Sequence, residues 1–508
     1  MRDLTSTLLL CLLAGSPEIR LHAQTNPSLA PAQVSTTTSV TALEQKIDTI
    51  SSALTATRQQ LDQSQQQIVQ LQAELAEMKR QLNTQSSSVS SSNPPEPAAS
   101  SDAGVQQIEE RQQTVEAQVK VHDQIKVESA SKYPVRINGL ILFNGFFNHG
   151  SVDNIDIPSI ATRTPPGTSD GSAGASLRQT ILGIEATGPH IAGARTSADI
   201  SFDFFGGIAY SNYGTSAGTV RMRTASINLD WSRDSVQFGM VAPLISPLSP
   251  TSYATVAEPG MAWAGNLWSW APQLRIAHRI SISDEKHLQL EFGLWDPSSA
   301  GYNTSDVFRS PSAGEQTKQP AYESRISFGS GGERGFQAGI GSYYSRQSYA
   351  ITNNDAWAVT GDWRIPLNHR FEVSGEAYRG RSLGGLGGGV YKDVVVGTDP
   401  ITGLPAIRGL NDIGGWTQFK SRFNSLVEAN ATIGQDNGYA SDFHSVVLPS
   451  TASQTALRAR NRMLVGNVIF RPKTYLIFSP EYRRIWTWPI SGKGNTADIF
   501  TLSVGYQF

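Results

Sequence analysis

The stretch ADIFTLSVGYQF (Ala497–Phe508) decides how the fold is read. Phe500, Leu502, Val504, Tyr506 and Phe508 alternate with Thr501, Ser503, Gly505 and Gln507. Apolar residues at every second position place one face of a β-strand against an apolar medium. In a soluble protein that face packs on a core. In an outer-membrane barrel it is the outer face of the closing strand, apolar to lipid and polar to the lumen. One strand leaves both readings open, and the rest of the chain separates them.

Upstream of this stretch the sequence carries fifteen further segments with strand character. With it they lie near 135–149, 176–188, 194–205, 220–231, 235–242, 273–283, 287–296, 320–329, 335–345, 355–365, 369–380, 414–421, 425–434, 456–471, 474–485 and 497–508. The run 197–204 shows the pattern cleanly: Ile200, Phe202 and Phe204 share one face, Asp199, Ser201 and Asp203 the other. Short turns such as SDEK, SGGER, PLNH and PKT join the strands into hairpins. Long connections near 151–175, 243–272, 297–319, 381–413 and 435–455 separate the hairpins. Short periplasmic turns and long outer loops on an even strand number describe a bacterial outer-membrane barrel. A β-sandwich gives no such alternation, and a propeller would show a repeating blade motif. The fold expected is all-β, a 16-stranded antiparallel transmembrane β-barrel over 132–508, with both ends periplasmic. Phe508 then completes the closing strand and places its ring in an interfacial girdle. Phe500, Leu502, Val504, Tyr506 and Phe508 together form the barrel-closing C-terminal signal. The segment 221–230 breaks the rule, because Arg221 and Arg223 share parity with the lipid-facing Ile227 and Leu229. Either a β-bulge resets the register there or both arginines lie above the bilayer.

The N-terminal quarter is of another kind. The apolar run 4–14 after Arg2 is too short to span a bilayer. With Leu21-His22-Ala23 as cleavage site it reads as a secretory signal peptide over 1–23, followed by a disordered segment over 24–42. Cys11 is the chain's single cysteine, so the exported part has no thiol or disulfide chemistry. Leu43, Ile47, Ile50, Leu54, Leu61, Ile68, Leu71, Leu75, Met78 and Leu82 step by four and three once Thr57 and Ser64 are admitted. That narrow seam predicts an α-helical coiled coil over 43–82 in the periplasm. The Ser/Pro-rich run 83–104 reads as a linker, and 105–131 as a short helical segment.

Composition narrows the function. The formal net charge of −2 argues against nucleic acid as partner. After residue 131 the chain carries 32 basic and 29 acidic residues, and 25 of the basic ones are arginine. That bias suits planar, bidentate recognition of carboxylate or phosphate. Enzymatic readings find little support: there is no HExxH, the glycine run 384–389 lacks a preceding strand and following helix, and the histidines stand apart. No catalytic residue, metal or cofactor is expected.

A periplasmic coiled coil, sixteen strands and a terminal Phe together resemble the DcaP-like trimeric outer-membrane porins. Local stretches carry the same likeness: 177–184 (LRQTILGI), 375–378 (GEAY), 434–437 (GQDN) and 481–484 (EYRR). The resemblance implies a passive, homotrimeric channel for small, often anionic solutes, and a third long connection folded into the barrel. That connection, from Ala242 through Tyr253 to Trp263, Trp268 and Trp270, is rich in proline and apolar residues, which suits a solvated outer loop poorly. Contact with a neighbouring subunit is the competing reading.

Selectivity in a channel rests on charged side chains that face the lumen. Parity sends Arg275, Arg279, Arg325, Arg364 and Glu323 inward. Parity near the rims leaves Arg460, Arg462, Arg483 and Arg484 unassigned. Against a selectivity role stands a structural one, in which such arginines pair with Asp203, Glu291, Glu323, Glu372 and Glu376 to brace the wall. The function expected is an outer-membrane porin passing small hydrophilic, anionic (carboxylate- or phosphate-like) solutes. The alternative is an envelope tether or spacer built on the coiled coil. The partners expected are two further copies of the chain, outer-membrane lipid, the barrel-assembly machinery, peptidoglycan through the coiled coil, and small solutes.

Overall fold

The structure, a computed structural model, describes residues 133–207, 218–299, 310–331, 335–450 and 452–508. The signal peptide, coiled coil, linker and short helical segment expected over 1–131 lie outside the described residues.

Nineteen strands follow one another along the described chain: β1 (Val135–His149), β2 (Gly171–Ser176), β3 (Ile181–Ile191), β4 (Ala194–Asp203), β5 (Arg221–Asp230), β6 (Asp234–Val241), β7 (Ala271–Ser281), β8 (Lys286–Trp295), β9 (Ala321–Ser330) and β10 (Phe336–Tyr349), then β11 (Thr352–Pro366), β12 (Phe371–Arg381), β13 (Val394–Thr398), β14 (Pro405–Gly409), β15 (Asn411–Arg422), β16 (Val427–Gly438), β17 (Arg458–Lys473), β18 (Leu476–Pro489) and β19 (Asn495–Gln507). β13 and β14 form a separate hairpin. The other seventeen make one antiparallel sheet. Two of them share a single wall position, since β1 pairs β2 along 144–149 and β3 along 135–140. The wall is therefore a closed, 16-stranded antiparallel barrel. β13, β14 and the division of the second wall strand into β2 and β3 were not anticipated from sequence.

Closure comes from the stretch that opened the reading. β19 pairs β1 from Asp498↔His149 to Gln507↔Leu140. Phe508 continues the ladder: its N–H donates to Gly139 O at 3.0 Å, and Gly139 N–H donates to Phe508 O at 2.9 Å. Phe500, Leu502, Tyr506 and Phe508 are exposed on the outside, while Ser503 and Thr501 are buried within. Exposed Ile141, Phe143, Phe147, Ile326, Ile340 and Val359 extend the outer apolar band.

Among the described residues, short turns from 192–193 to 474–475 occupy one rim. The first is Ala192-Gly193, both at positive φ, the twist a two-residue hairpin requires. The other rim carries the long connections, with two exceptions to the expected alternation. Residues 350–351 and 490–494 close hairpins there with short links.

The conflict at 221–230 resolves in the strand register. Ser201 pairs Thr224 but Phe202 pairs Met222, so Arg223 is the extra residue of a β-bulge. Met222 turns outward and is exposed, while both arginines reach the buried Asp203 inside.

Deleting Phe508 removes two backbone hydrogen bonds at the closing seam, each contributing about 1 kcal/mol, and one ring of the girdle. The expected outcome is a lower folded fraction in the outer membrane and a lower unfolding temperature, read by heat-dependent electrophoretic mobility. Unchanged levels and mobility would separate the terminal residue from barrel closure.

Candidate channel lining

The third long connection, L3 (242–270), runs around the inner wall. Its contacts follow the strand order. Leu244 N–H donates to Glu323 Oε2 on β9 at 2.8 Å, and Thr360 Oγ1 on β11 donates to Ile245 O at 2.7 Å. Ser246 Oγ and Leu248 N–H both donate to Glu376 on β12, the latter at 2.7 Å. Thr251 N–H donates to Gln418 on β15 at 2.9 Å, and Thr251 O accepts from Asn467 on β17 at 2.9 Å. Ser252 Oγ donates to Glu481 on β18. Val256 N–H reaches Gln179 Oε1, between β2 and β3, at 2.7 Å. Arg221 and Arg223 on β5 then donate to Ala257 O and Val256 O, each at 2.7 Å. The loop thus makes nearly a full circuit before returning past Asn461 on β17, which donates to Trp263 O at 3.0 Å.

Two features of the sequence seat the loop. Its apolar side chains Leu244, Ile245, Leu248, Met261 and Leu267 are buried, and a fully buried Leu or Ile contributes about 1.5–3 kcal/mol. They pack on inward residues that are themselves apolar, including Trp295, Tyr343, Met463 and Ile485. The inner wall is therefore not uniformly polar, as simple alternation suggested; it is apolar where loops cover it. The second feature is the row of inward carboxylates and amides that take up the loop's backbone donors. A carboxylate accepting a backbone N–H is a charge-assisted bond, roughly twice as strong as a neutral one. These contacts lie within the chain's own barrel, not on a neighbour.

Other loops join the lining. L1 (150–170) reaches the wall where Pro158 O accepts from Arg483 at 2.8 Å and Ser159 O from Asn461 at 2.9 Å. L6 (382–410) is held where Gly389 and Val390 N–H donate to Asp412 and Asp436, at 2.6 and 2.9 Å. Trp263, Trp268 and Trp270 pack edge to face in sequence, and Arg223 lies over Trp270 at 4.9 Å.

The candidate selectivity residues divide by environment. Arg325 is buried and grips Asp362 with two nitrogens, at 2.8 and 2.9 Å, and Glu291 at 2.6 Å. Glu323 is buried and holds the start of L3. Both brace the wall and the loop. Arg275 donates to Ala242 O at 3.0 Å and to Gln273 Oε1 at 3.1 Å, so it fastens the root of L3. Arg279 is exposed near the turn rim, 3.1 Å from His287 Nδ1. Arg364 is partly buried on the inner face of β11, in register with Gln337 and Ser374. Of the unassigned arginines, Arg483 points inward and pairs with Glu481 at 2.7 Å. Arg460, Arg462 and Arg484 share the outward parity of Leu464, Tyr482 and Trp486.

Sequence reading missed Gln179, Gln418, Asn467 and Glu481 as hooks for L3. Their shared mark is inward parity in uncharged or singly charged form, and nothing local distinguishes a hook from an ordinary lumen residue. On L3 itself, Glu258 is pushed up to about 7, first by burial and then by the Asp153 carboxylate, with Arg221 and Arg483 opposing. Its charge is therefore half expressed near neutral pH.

Glu376→Ala removes the acceptor for Ser246, Leu248 and the Trp416 indole. L3 should loosen, seen as larger or noisier single-channel currents and faster proteolysis within 242–270, with the barrel still heat-modifiable. A rigid loop and unchanged current would show that the other hooks suffice.

A scan against protein-family models finds no match for this sequence, and none of the curated proteins matches it. Solved structures do. The outer membrane channel DcaP of Acinetobacter baumannii aligns over 74% of this chain and 99% of its own, at 16% identity and a TM-score of 0.57. An anion-selective porin from Comamonas acidovorans aligns over 74% and 100%, at 9% identity and a TM-score of 0.47. Salmonella typhi OmpF, in complex with daunomycin, aligns over 74% and 97%, at 11% identity and a TM-score of 0.45. At these identities what is shared is architecture, and the described chain has the barrel fold of the DcaP outer-membrane channel.

Proposed function

We propose that the protein is an outer-membrane porin that passes small hydrophilic solutes, with a preference for anions, through a lumen narrowed by L3. The observation that carries this reading is the circuit of L3 inside a closed barrel, pinned by inward side chains from β5 to β18. A barrel serving only as an anchor has no need of a loop ordered around its interior. The apolar outer band supports a membrane position, and the coiled coil then extends into the periplasm, where a tether to the cell wall is compatible with conduction. The working assembly is a homotrimer.

The anionic preference rests on the arginines. Arg325 is compensated by Asp362 and Glu291, so the attraction is assigned to Arg275 and Arg279. Charges confined between low-dielectric walls attract counter-ions more strongly than charges on an open surface.

Three measurements check the reading. In planar bilayers the intact protein should conduct, and a salt gradient should give a reversal potential of anionic sign; Arg275→Ala with Arg279→Ala should move it toward zero. A cation-selective wild type, or an unmoved double variant, would remove these arginines from the mechanism. The anion preference should also rise as pH falls from about 8 to about 6. Burial raises the Glu258 pKa to about 7, so acid neutralises its negative charge and base restores it; Glu258→Gln should weaken that dependence, leaving the part carried by Lys392, whose amine burial lowers to about 7. In detergent the intact protein should have the mass of three chains, and a monomer would refute the trimer.

A further inference from the structure

Trp416, Gly434 and Met463 form a row across the inner wall on β15, β16 and β17, with Gly434 in register with both neighbours. Trp416 and Met463 are buried inward side chains, so the glycine between them leaves a dip one side chain deep. L3 fills that dip with backbone. A Cβ added at Gly434 would overlap Ala264 O and stand 3.0 Å from Met261 Sδ and from Trp416 Cβ. The next loop residue, Gly265, rests on the ladder itself. Its own Cβ would overlap Gly415 O and stand 2.7 Å from Gln435 O, and Gly415 and Gln435 are partners in register. Backbone therefore lies on backbone here, without a side chain between loop and wall.

The loop folds tightly to make this contact. Ala264 and Asn266 N–H both donate to Met261 O, at 2.9 and 3.2 Å, and Asn266 Nδ2 donates to Gly260 O at 2.8 Å. Met261 and Trp263 take left-handed backbone, at φ 61° and 63°. That conformation is uncommon for residues with a side chain and persists where the surroundings impose it. Gly265, at φ 104°, is free of that cost. The same turn carries Trp263, whose ring meets Tyr391 of L6 edge to face at 4.7 Å. L6 is itself held two residues along β16, where Asp436 accepts from Val390 N–H. Gly434 and Asp436, the inward residues of the GQDN stretch, thus seat both loops.

We propose that Gly434 is a positioning residue that sets the width of the channel, by letting L3 lie flush with β15 and β16. The inference deepens the porin reading and rests on it. The wall at Gly434 is locked by ladders to β15 and β17, so a side chain added there displaces the loop and not the strand. Packed interiors do not absorb an added group in place. Non-bonded heavy atoms settle about 3.5 Å apart or more, so alanine moves residues 264–265 off the wall by about 1 Å and valine moves them further. Away from the wall is toward the barrel axis, and Trp263 passes the shift to L6 through Tyr391. The lumen narrows with no charge altered.

The test compares the full-length wild type with Gly434→Ala and Gly434→Val, each first shown to be folded by heat-dependent mobility. Single-channel conductance is read in planar bilayers, and the size limit in liposomes swollen with neutral mono-, di- and trisaccharides. Conductance should fall in the order glycine, alanine, valine. The largest sugar admitted should shift to a smaller one, and the reversal potential in a salt gradient should keep its sign. A loop merely loosened acts oppositely, giving the larger, noisier currents expected of Glu376→Ala. That result, or an unchanged conductance and size limit, would overturn the role of Gly434. If valine prevents insertion, the alanine variant decides alone. Gly466→Val is the control, because a side chain there meets no atom within 4 Å; it should leave both readings at wild type, and an equal fall would trace the effect to valine in a strand and overturn the inference. A conducting wild type with an insensitive Gly434 overturns this inference alone, whereas a wild type that passes neither ions nor sugars overturns the porin reading and this inference with it.

Discussion

A strand in hydrocarbon has no water to satisfy its backbone, so every N–H and C=O must find a partner on an adjacent strand. The pairing of β19 with β1 meets that demand for the whole wall, because a sheet with two open edges would leave two rows unpaired. Phe508 and Gly139 exchange the final pair of bonds in this seam. Closure fixes the diameter, and the diameter fixes how much space the loops must fill or leave.

Within that frame the inner wall is a scaffold for L3. Inward carboxylates are engaged by the loop: Glu323, expected from sequence as a selectivity group, by Leu244, Glu376 by Ser246 and Leu248, and Glu481 by Ser252. Removing one partner of a buried charge network leaves the remainder unsatisfied, at a cost of several kcal/mol. Arg325, with Asp362 and Glu291, is such a network.

The bulge at Arg223 shows how one residue alters the interior. Without it, Arg221 would project into lipid. With it, Arg221 and Arg223 both meet the fully buried Asp203 and together hold the far end of L3. The insertion therefore serves the channel lining, while the outer face loses only the regularity of its band at Met222.

The strands, their number, their faces and the closing role of Phe508 were legible in the sequence, because period-two alternation is a local property and lipid imposes it on every strand. The inward side of Arg275, Arg279, Arg325, Arg364 and Glu323 followed from the same parity. What parity cannot convey is the neighbour two or three strands away. That Arg325 is neutralised by Asp362, that Gln179 and Asn467 hold L3, and that inward Met463 and Ile485 sit beneath a loop, all depend on contacts between residues from 37 to more than 200 positions apart in the chain. The division of the second wall strand into β2 and β3, the bulge between β4 and β5 and the hairpin of β13 and β14 likewise arise from the geometry of closing a barrel around its own loops. Sequence determined which face most strand residues take, the segment with the bulge at Arg223 excepted; only the folded barrel decided which inward residues are covered and which are compensated, because burial and charge compensation are properties of the assembled interior.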